Sequence, residues 1–208
     1  MGCDIHLCLE RRLRKEKKVI VSPELKRENG TIRKELSYIM EKKWLSCNIT
    51  GFYGTWGDRH YGMFAKLADV RNDWNIQPIS EPRGIPEDIT SEVLAKYMFR
   101  VVDNETYEKY YSDGEKQIVS EDMCNNFVEK YDCSIKIVDD CKFVGSPDYH
   151  SASWCTTEEM ENAIEEILLQ ENGNYSDDAE EWLALLGAMK GYEMSGEYEC
   201  RAIFWFDN

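Results

Sequence analysis

The chain has 208 residues, and 40 acidic against 25 basic side chains give it a formal net charge of −15. That length fits one domain with room for an insertion, and 42% apolar residues with 6 Trp exclude a disordered chain as the main reading. No run approaches the roughly 18 apolar residues of a membrane span, and charge within the first six residues argues against a secretory leader. An acidic surface repels phosphate backbones, so neither a membrane partner nor nonspecific nucleic-acid binding is expected.

The elements follow in chain order. Cys3, Ile5, Leu7 and Leu9 alternate with Asp4, His6, Cys8 and Glu10, which predicts a strand with one core face and one half-polar face. Lys15 to Asn29 is charged and reads as a hairpin or loop, and Ile39 to Leu45 as a second strand. Ile49 to Tyr61 is rich in Gly and aromatics without a period, hence loop. Met63, Phe64, Leu67 and Val70 mark a short helix, Ile76 to Asp88 a proline-bearing loop, and Val93, Leu94, Tyr97, Met98 and Val101 a further helix. Residues 103–147 are mixed, with weak strand signals at Gln117–Val119 and Ser134–Val138, and read as a possible insertion or subdomain. Thr156-x-x-Glu159 is a capping box, followed by the apolar stripe Met160, Ala163, Ile164, Ile167 and Leu168. A last helix spans about 177–190 with Gly191 as its stop, and Tyr198 to Asp207 closes the chain as a strand. The expected class is α+β: a single domain over 1–208, mainly an antiparallel sheet that includes the N- and C-terminal strands, with several packed helices.

Charge is uneven along this path. Residues 1–43 carry 12 bases and 7 acids (+5), and residues 44–208 carry 13 bases and 33 acids (−20). The basic stretch reads most simply as a solvated hairpin. Eight Cys include no C-x-x-C pair, so a zinc ribbon or thioredoxin-type motif is not expected, and free thiols in a reducing cytoplasm are.

Three groups of residues carry chemistry. Each of the three His has an Asp two positions before it: Asp4/His6, Asp58/His60 and Asp148/His150. On a strand such a pair shares a face, so Asp4 and His6, joined by His150, are the candidate ligands of a divalent metal (Zn, Mn or Fe) that would activate a water. Without a metal, His6 and His150 are candidates for base and acid. The competing reading of each pair is a surface hydrogen bond or turn. Second, Arg83 lies between Pro82 and Gly84 with Pro86 following, a restrained loop suited to holding a phosphate or carboxylate. Third, His150-Ser151-Ala152-Ser153-Trp154 precedes the helix at Thr156, where backbone N–H groups favour anions. Ser151 or Ser153 is a candidate donor or nucleophile there, and Cys155 is a candidate for a lowered thiol pKa, though a structural thiol is the simpler reading. The alternative for the whole segment is capping with a buried Trp.

These blocks resemble an uncharacterised family of phage and prophage proteins that begin Met-Gly-Cys-Asp-Ile-His. The resemblance runs through Met1–His6, the segment Arg59 to Arg71, Pro82-Arg83-Gly84-Ile85-Pro86, His150-Ser151-x-Ser153-Trp154 and Phe204-Trp205-Phe206-Asp207-Asn208. It implies a phage setting, hence the cytoplasm of an infected or lysogenic bacterial host, and carries no activity with it. The resulting expectation is a hydrolase of a small phosphorylated or nucleotide substrate. Asp4, His6, His150 and Ser153 form its catalytic set, and Arg83, Ser151, Trp154 and Tyr61 its ligand-binding set. The alternative is a binding protein without turnover, either sequestering a small anionic ligand or using its acidic helices against a host protein.

Overall fold

The computed structural model describes residues 5–22, 36–47, 60–112, 117–170, 173–176 and 179–207. Cys3, Asp4, Asp58 and nearly all of the Gly- and aromatic-rich stretch before Tyr61 lie outside these residues. The described residues form ten strands and six helices. β1 (Ile5–Leu13), β4 (Trp44–Cys47), β9 (Tyr149–Thr156) and β10 (Tyr198–Asp207) make an antiparallel sheet in the order β4-β1-β10-β9. The N- and C-terminal strands are therefore its central pair, in register from Ile5↔Phe206 to Leu13↔Tyr198. The fold is α+β.

Both faces of this sheet are covered. One face carries Ile5, Leu7, Leu9, Phe204 and Phe206. It is packed by α1 (Tyr61–Ala68), α5 (Thr157–Leu168) and α6 (Glu180–Glu193). Phe64 of α1 sits edge-on to Phe206 at 5.0 Å between centroids, and burying such a ring contributes about 1.5–3 kcal/mol. The other face carries Cys8, Ile203 and Trp205 beneath α2 (Ser91–Tyr97) and Phe143. Coverage on both sides explains the unbroken apolar run Ala202–Phe206, which a half-exposed strand would have replaced by alternation.

The second sheet lies over that other face. β5 (Met98–Val102), β6 (Ile118–Ser120), β7 (Ile135–Val138) and β8 (Cys141–Gly145) pair in the order β6-β5-β8-β7, and α3 (Asn104–Tyr110) and α4 (Glu121–Tyr131) lie between its strands in sequence. β2 (Lys17–Ser22) and β3 (Leu36–Met40) form a separate hairpin.

Several local expectations change. The strand expected over Ile39–Leu45 is two strands broken at residues 41–43, where Glu41, Lys42 and Lys43 supply no apolar side to bury. The helix expected through Val101 ends at Tyr97, because Met98 turns extended and the β-branched Val101 and Val102 continue into β5. α6 does not stop at Gly191 but runs to Glu193. The capping box forms as expected: Thr156 N donates to Glu159 Oε2 at 2.9 Å, and Glu159 N to Thr156 Oγ1 at 3.2 Å.

Candidate functional site

The sheet register decides which of the expected site residues meet. His6 stands opposite Trp205 on β10 and stacks on its indole at 5.4 Å, on the face under α2. Its Nε2 lies 3.1 Å from Asp207 Oδ2, so the carboxylate holding this imidazole comes from β10. His150 stands opposite Phe206 and stacks on that ring at 5.9 Å, on the face under the helices. The two imidazoles are thus separated by the sheet and do not act together on one substrate or one metal. The cause is a bulge in β9. Between the pairs Phe204↔Ser153 and Phe206↔His150, β9 spends one residue more than β10. Ser151 takes up the extra residue at φ 51°. Among the described residues no three His, Cys, Asp or Glu side chains gather as a metal-holding group.

The remaining candidates also separate. Ser153 is fully buried, and its Oγ accepts the Arg83 backbone N–H at 3.2 Å. With the Gly84 N–H to the Ala152 carbonyl at 2.9 Å, that bond lays the proline loop along the outer edge of β9. Ser153 is therefore a fastening for the loop, without access for a substrate. Tyr61 opens α1, where its hydroxyl accepts from Arg71 Nη1 at 3.2 Å. His60 caps the same helix, its Nδ1 accepting from Met63 N at 3.2 Å. Ser151 Oγ lies 2.9 Å from His150 Nδ1, a hydroxyl–imidazole pair built from neighbouring residues. Cys155 is a structural thiol: burial pushes its pKa up.

Arg83 does hold an anion beside the α5 N-terminus, and the anion is the chain's own Glu159. Its Nη1 and Nη2 reach the two carboxylate oxygens at 2.9 and 2.5 Å, and the guanidinium lies 4.6 Å over the Trp154 ring. Glu159 is held below the ordinary carboxylate range, chiefly by the Arg83 hydrogen bond. The seat expected for an external phosphate or carboxylate is filled from within.

Arg83 and Trp154 nevertheless line a cleft of about 530 Å³ together with Arg12, Trp44, Asp88 and Arg201, a volume typical of small-molecule sites. Its floor is an ion-pair network. Glu10 is fully buried, and Arg201 is only 4% exposed. Arg201 donates to Glu10 Oε2 through Nε at 2.7 Å and to Asp88 Oδ1 through Nη1 at 2.6 Å. Glu10 Oε1 accepts the Thr90 N–H at 2.8 Å, which ties the start of α2 to β1. Asp88 Oδ2 accepts from Trp44 Nε1 at 2.7 Å and Arg12 Nη1 at 3.1 Å. Burial pushes the Asp88 carboxyl up, but the bonds and charge of Arg201, with Trp44 and Arg12, outweigh it and lower its pKa. Arg201 and Arg12 lie 3.9 and 4.5 Å over the Trp44 ring, and Arg12 Nε donates to Glu199 Oε1 at 2.5 Å.

Of the expected residues, then, Arg83 and Trp154 come together at the cleft with Ser153 buried behind the Arg83 backbone, His150 pairs with Ser151, and His6 and Tyr61 stand elsewhere. Arg12, Trp44, Asp88 and Arg201 were not among the sequence candidates. The one available signal was that Glu10 and Arg12 share the β1 face of His6, with Trp44 inside the second predicted strand. No protein-family model, curated protein or solved structure matches this chain.

Proposed function

We propose that the protein binds a small ligand, without turning it over, in the cleft between Trp44 and Trp154. The carrying observation is that three guanidiniums and two indoles converge on one cleft of ligand size and are already fixed by internal partners. Such preorganisation lowers the ordering cost of binding. The family resemblance adds a phage setting, with sequestration in the host cytoplasm as the proposed use. No helix among the described residues is long and apolar enough to cross a membrane. The test is a thermal-shift screen of small metabolites, with any bound compound recovered and weighed by mass spectrometry. Recovery of the compound unchanged supports binding, and recovery of a product overturns the non-catalytic reading.

A second reading, the phage hydrolase, is favoured by one observation: the 2.9 Å contact of His150 Nδ1 with Ser151 Oγ. In it, Ser151 Oγ attacks the phosphorus or carbonyl carbon of a small ester while His150 takes the hydroxyl proton and returns it to the departing alkoxide, which leaves as the alcohol; water, deprotonated by His150, then cleaves the phosphoryl- or acyl-Ser151 and restores the hydroxyl. Its test is labelling of Ser151 by a fluorophosphonate, lost in His150→Gln. An unlabelled Ser151 in the parent protein refutes it.

A further inference from the structure

Resting on the binding reading above, we infer that the cleft takes an uncharged, flat heteroaromatic ring with hydrogen-bonding edges, a nucleobase or nucleoside, in place of the anion that Arg83 suggests on its own.

The charge around the cleft is balanced internally. Arg12, Arg83 and Arg201 face Glu87, Asp88 and Glu199 in the lining, three of each sign. Behind them Glu10 holds Arg201 and Glu159 holds Arg83. Lys136 donates to the Pro86 carbonyl at 2.9 Å. Counting these eight with Lys136 and with Arg14, which lies 3.9 Å from Glu199, five cations meet five carboxylates, within a chain at −15. An incoming phosphate therefore competes with carboxylates already bonded to these guanidiniums, Glu199 by one hydrogen bond and Asp88 and Glu159 by two or more, and gains no excess positive field. An incoming cation finds its places over the indoles taken by the chain's own guanidiniums.

A neutral ring leaves every one of these pairs intact. Guanidinium planes are themselves stacking surfaces, so a flat ring can lie on the Arg12 or Arg83 guanidinium already seated over Trp44 or Trp154 without taking its place on the indole. A plain hydrocarbon would strip water from the guanidinium N–H groups and carboxylate oxygens of the walls without replacing its hydrogen bonds, which is unfavourable. The donor and acceptor edge of a base replaces that water.

The experiment titrates the protein with guanosine, adenosine, cytidine and uridine, following tryptophan fluorescence and calorimetry, beside GMP, inorganic phosphate and toluene. At least one nucleoside is expected to quench the fluorescence and bind more tightly than toluene, with an affinity unchanged between low and moderate salt. GMP is expected to bind no more tightly than guanosine. Trp154→Leu is expected to weaken binding about tenfold or more, and Trp154→Phe to restore most of it while both variants keep the parent's melting temperature to within a few degrees. Tighter, salt-sensitive binding of GMP or phosphate overturns the uncharged class and leaves the binding cleft standing. Nucleoside binding that survives Trp154→Leu overturns the location. If no nucleoside, anion or apolar probe moves either signal, the binding reading itself fails.

Discussion

Glu10 offers the sharpest test of the network beneath the cleft. Its side chain is fully buried beside Arg201, whose side chain is 5% exposed, and it accepts hydrogen bonds from Arg201 and from the Thr90 N–H. Glu10→Ala leaves Arg201 with Asp88 as its remaining carboxylate at the rim, and leaves the buried Thr90 N–H without its acceptor. Removing one member of a buried ion pair costs about 3–5 kcal/mol, and the orphaned amide adds about 1–3 kcal/mol. At about 2–4 °C per kcal/mol for a domain of this size, the ion-pair loss alone lowers the melting temperature by roughly 6–20 °C. Thermal and urea unfolding followed by circular dichroism measure it. The double substitution Glu10→Leu with Arg201→Met should recover most of the ion-pair part of the loss, because two desolvated charges are replaced by apolar volume, while the Thr90 N–H stays without its acceptor. A Glu10→Ala protein within about 1 kcal/mol of the parent, the range of an exposed pair, would refute the account of the network as buried and coupled.

Other consequences are as direct. Arg83 holds the Glu159 carboxyl below its usual value, so the pair contributes stability that is present above the ordinary carboxylate pKa and lost as pH falls through the lowered folded value. Glu159→Gln, which keeps the capping geometry, should be less stable than the parent at neutral pH and should converge with it as pH falls through that lowered folded value; an undiminished gap in acid unfolding curves would contradict this. Ser151 sits at φ 51°, so Ser151→Val should lose about 2 kcal/mol or more in urea unfolding, while Ser151→Gly should stay within about 1 kcal/mol of the parent because relief of strain offsets the lost hydroxyl bond. Burial pushes Cys8 up to about 11 and Cys200 up to about 12, and Cys155 is raised as well. Iodoacetamide on the folded protein at mildly alkaline pH should therefore modify half-exposed Cys141 well before these three, as read by peptide mass spectrometry.

The parts of the fold that were legible from sequence are those set by local pattern. The alternation after Met1 predicts β1 and its two faces, and Thr156-x-x-Glu159 with the stripe after it predicts α5 and its cap. The apolar density of Ala202–Phe206 predicts a closing strand. What escaped depends on partners far apart in the chain. β9 shows no strand pattern of its own, because His150, Ser151 and Ser153 are polar, yet pairing with β10 makes it a strand, and the bulge at Ser151 then turns His150 away from the face that carries His6. Asp207 was invisible as the partner of His6 because 201 positions separate them. Glu10 and Arg201 look like ordinary solvent-facing members of alternating strands, and only the covering of that face by α2 buries them. The proline-restrained Arg83 reads as a seat for an external anion, and nothing local reveals that Glu159, used in the cap, brings its carboxylate to that same guanidinium.

The placement of β1 and β10 at the centre of the sheet bears on how the protein comes to be folded at all. Each apolar face of the main sheet is shared between the first strand and the last, so the two principal cores are halves until β10 has been made. A nascent chain still lacking β10 exposes Ile5, Leu7 and Leu9 on one side and Cys8 on the other, with no neighbour to pair against from Ile5 to Cys8 among the described strands. Local helices such as α5 and the β5–β8 sheet can collapse earlier, but the main sheet closes through its most sequence-distant contacts, which makes its folding slow. Arrest peptides placed at successive lengths would show the chain generating little pulling force until β10 clears the ribosome, then registering closure as a single late event.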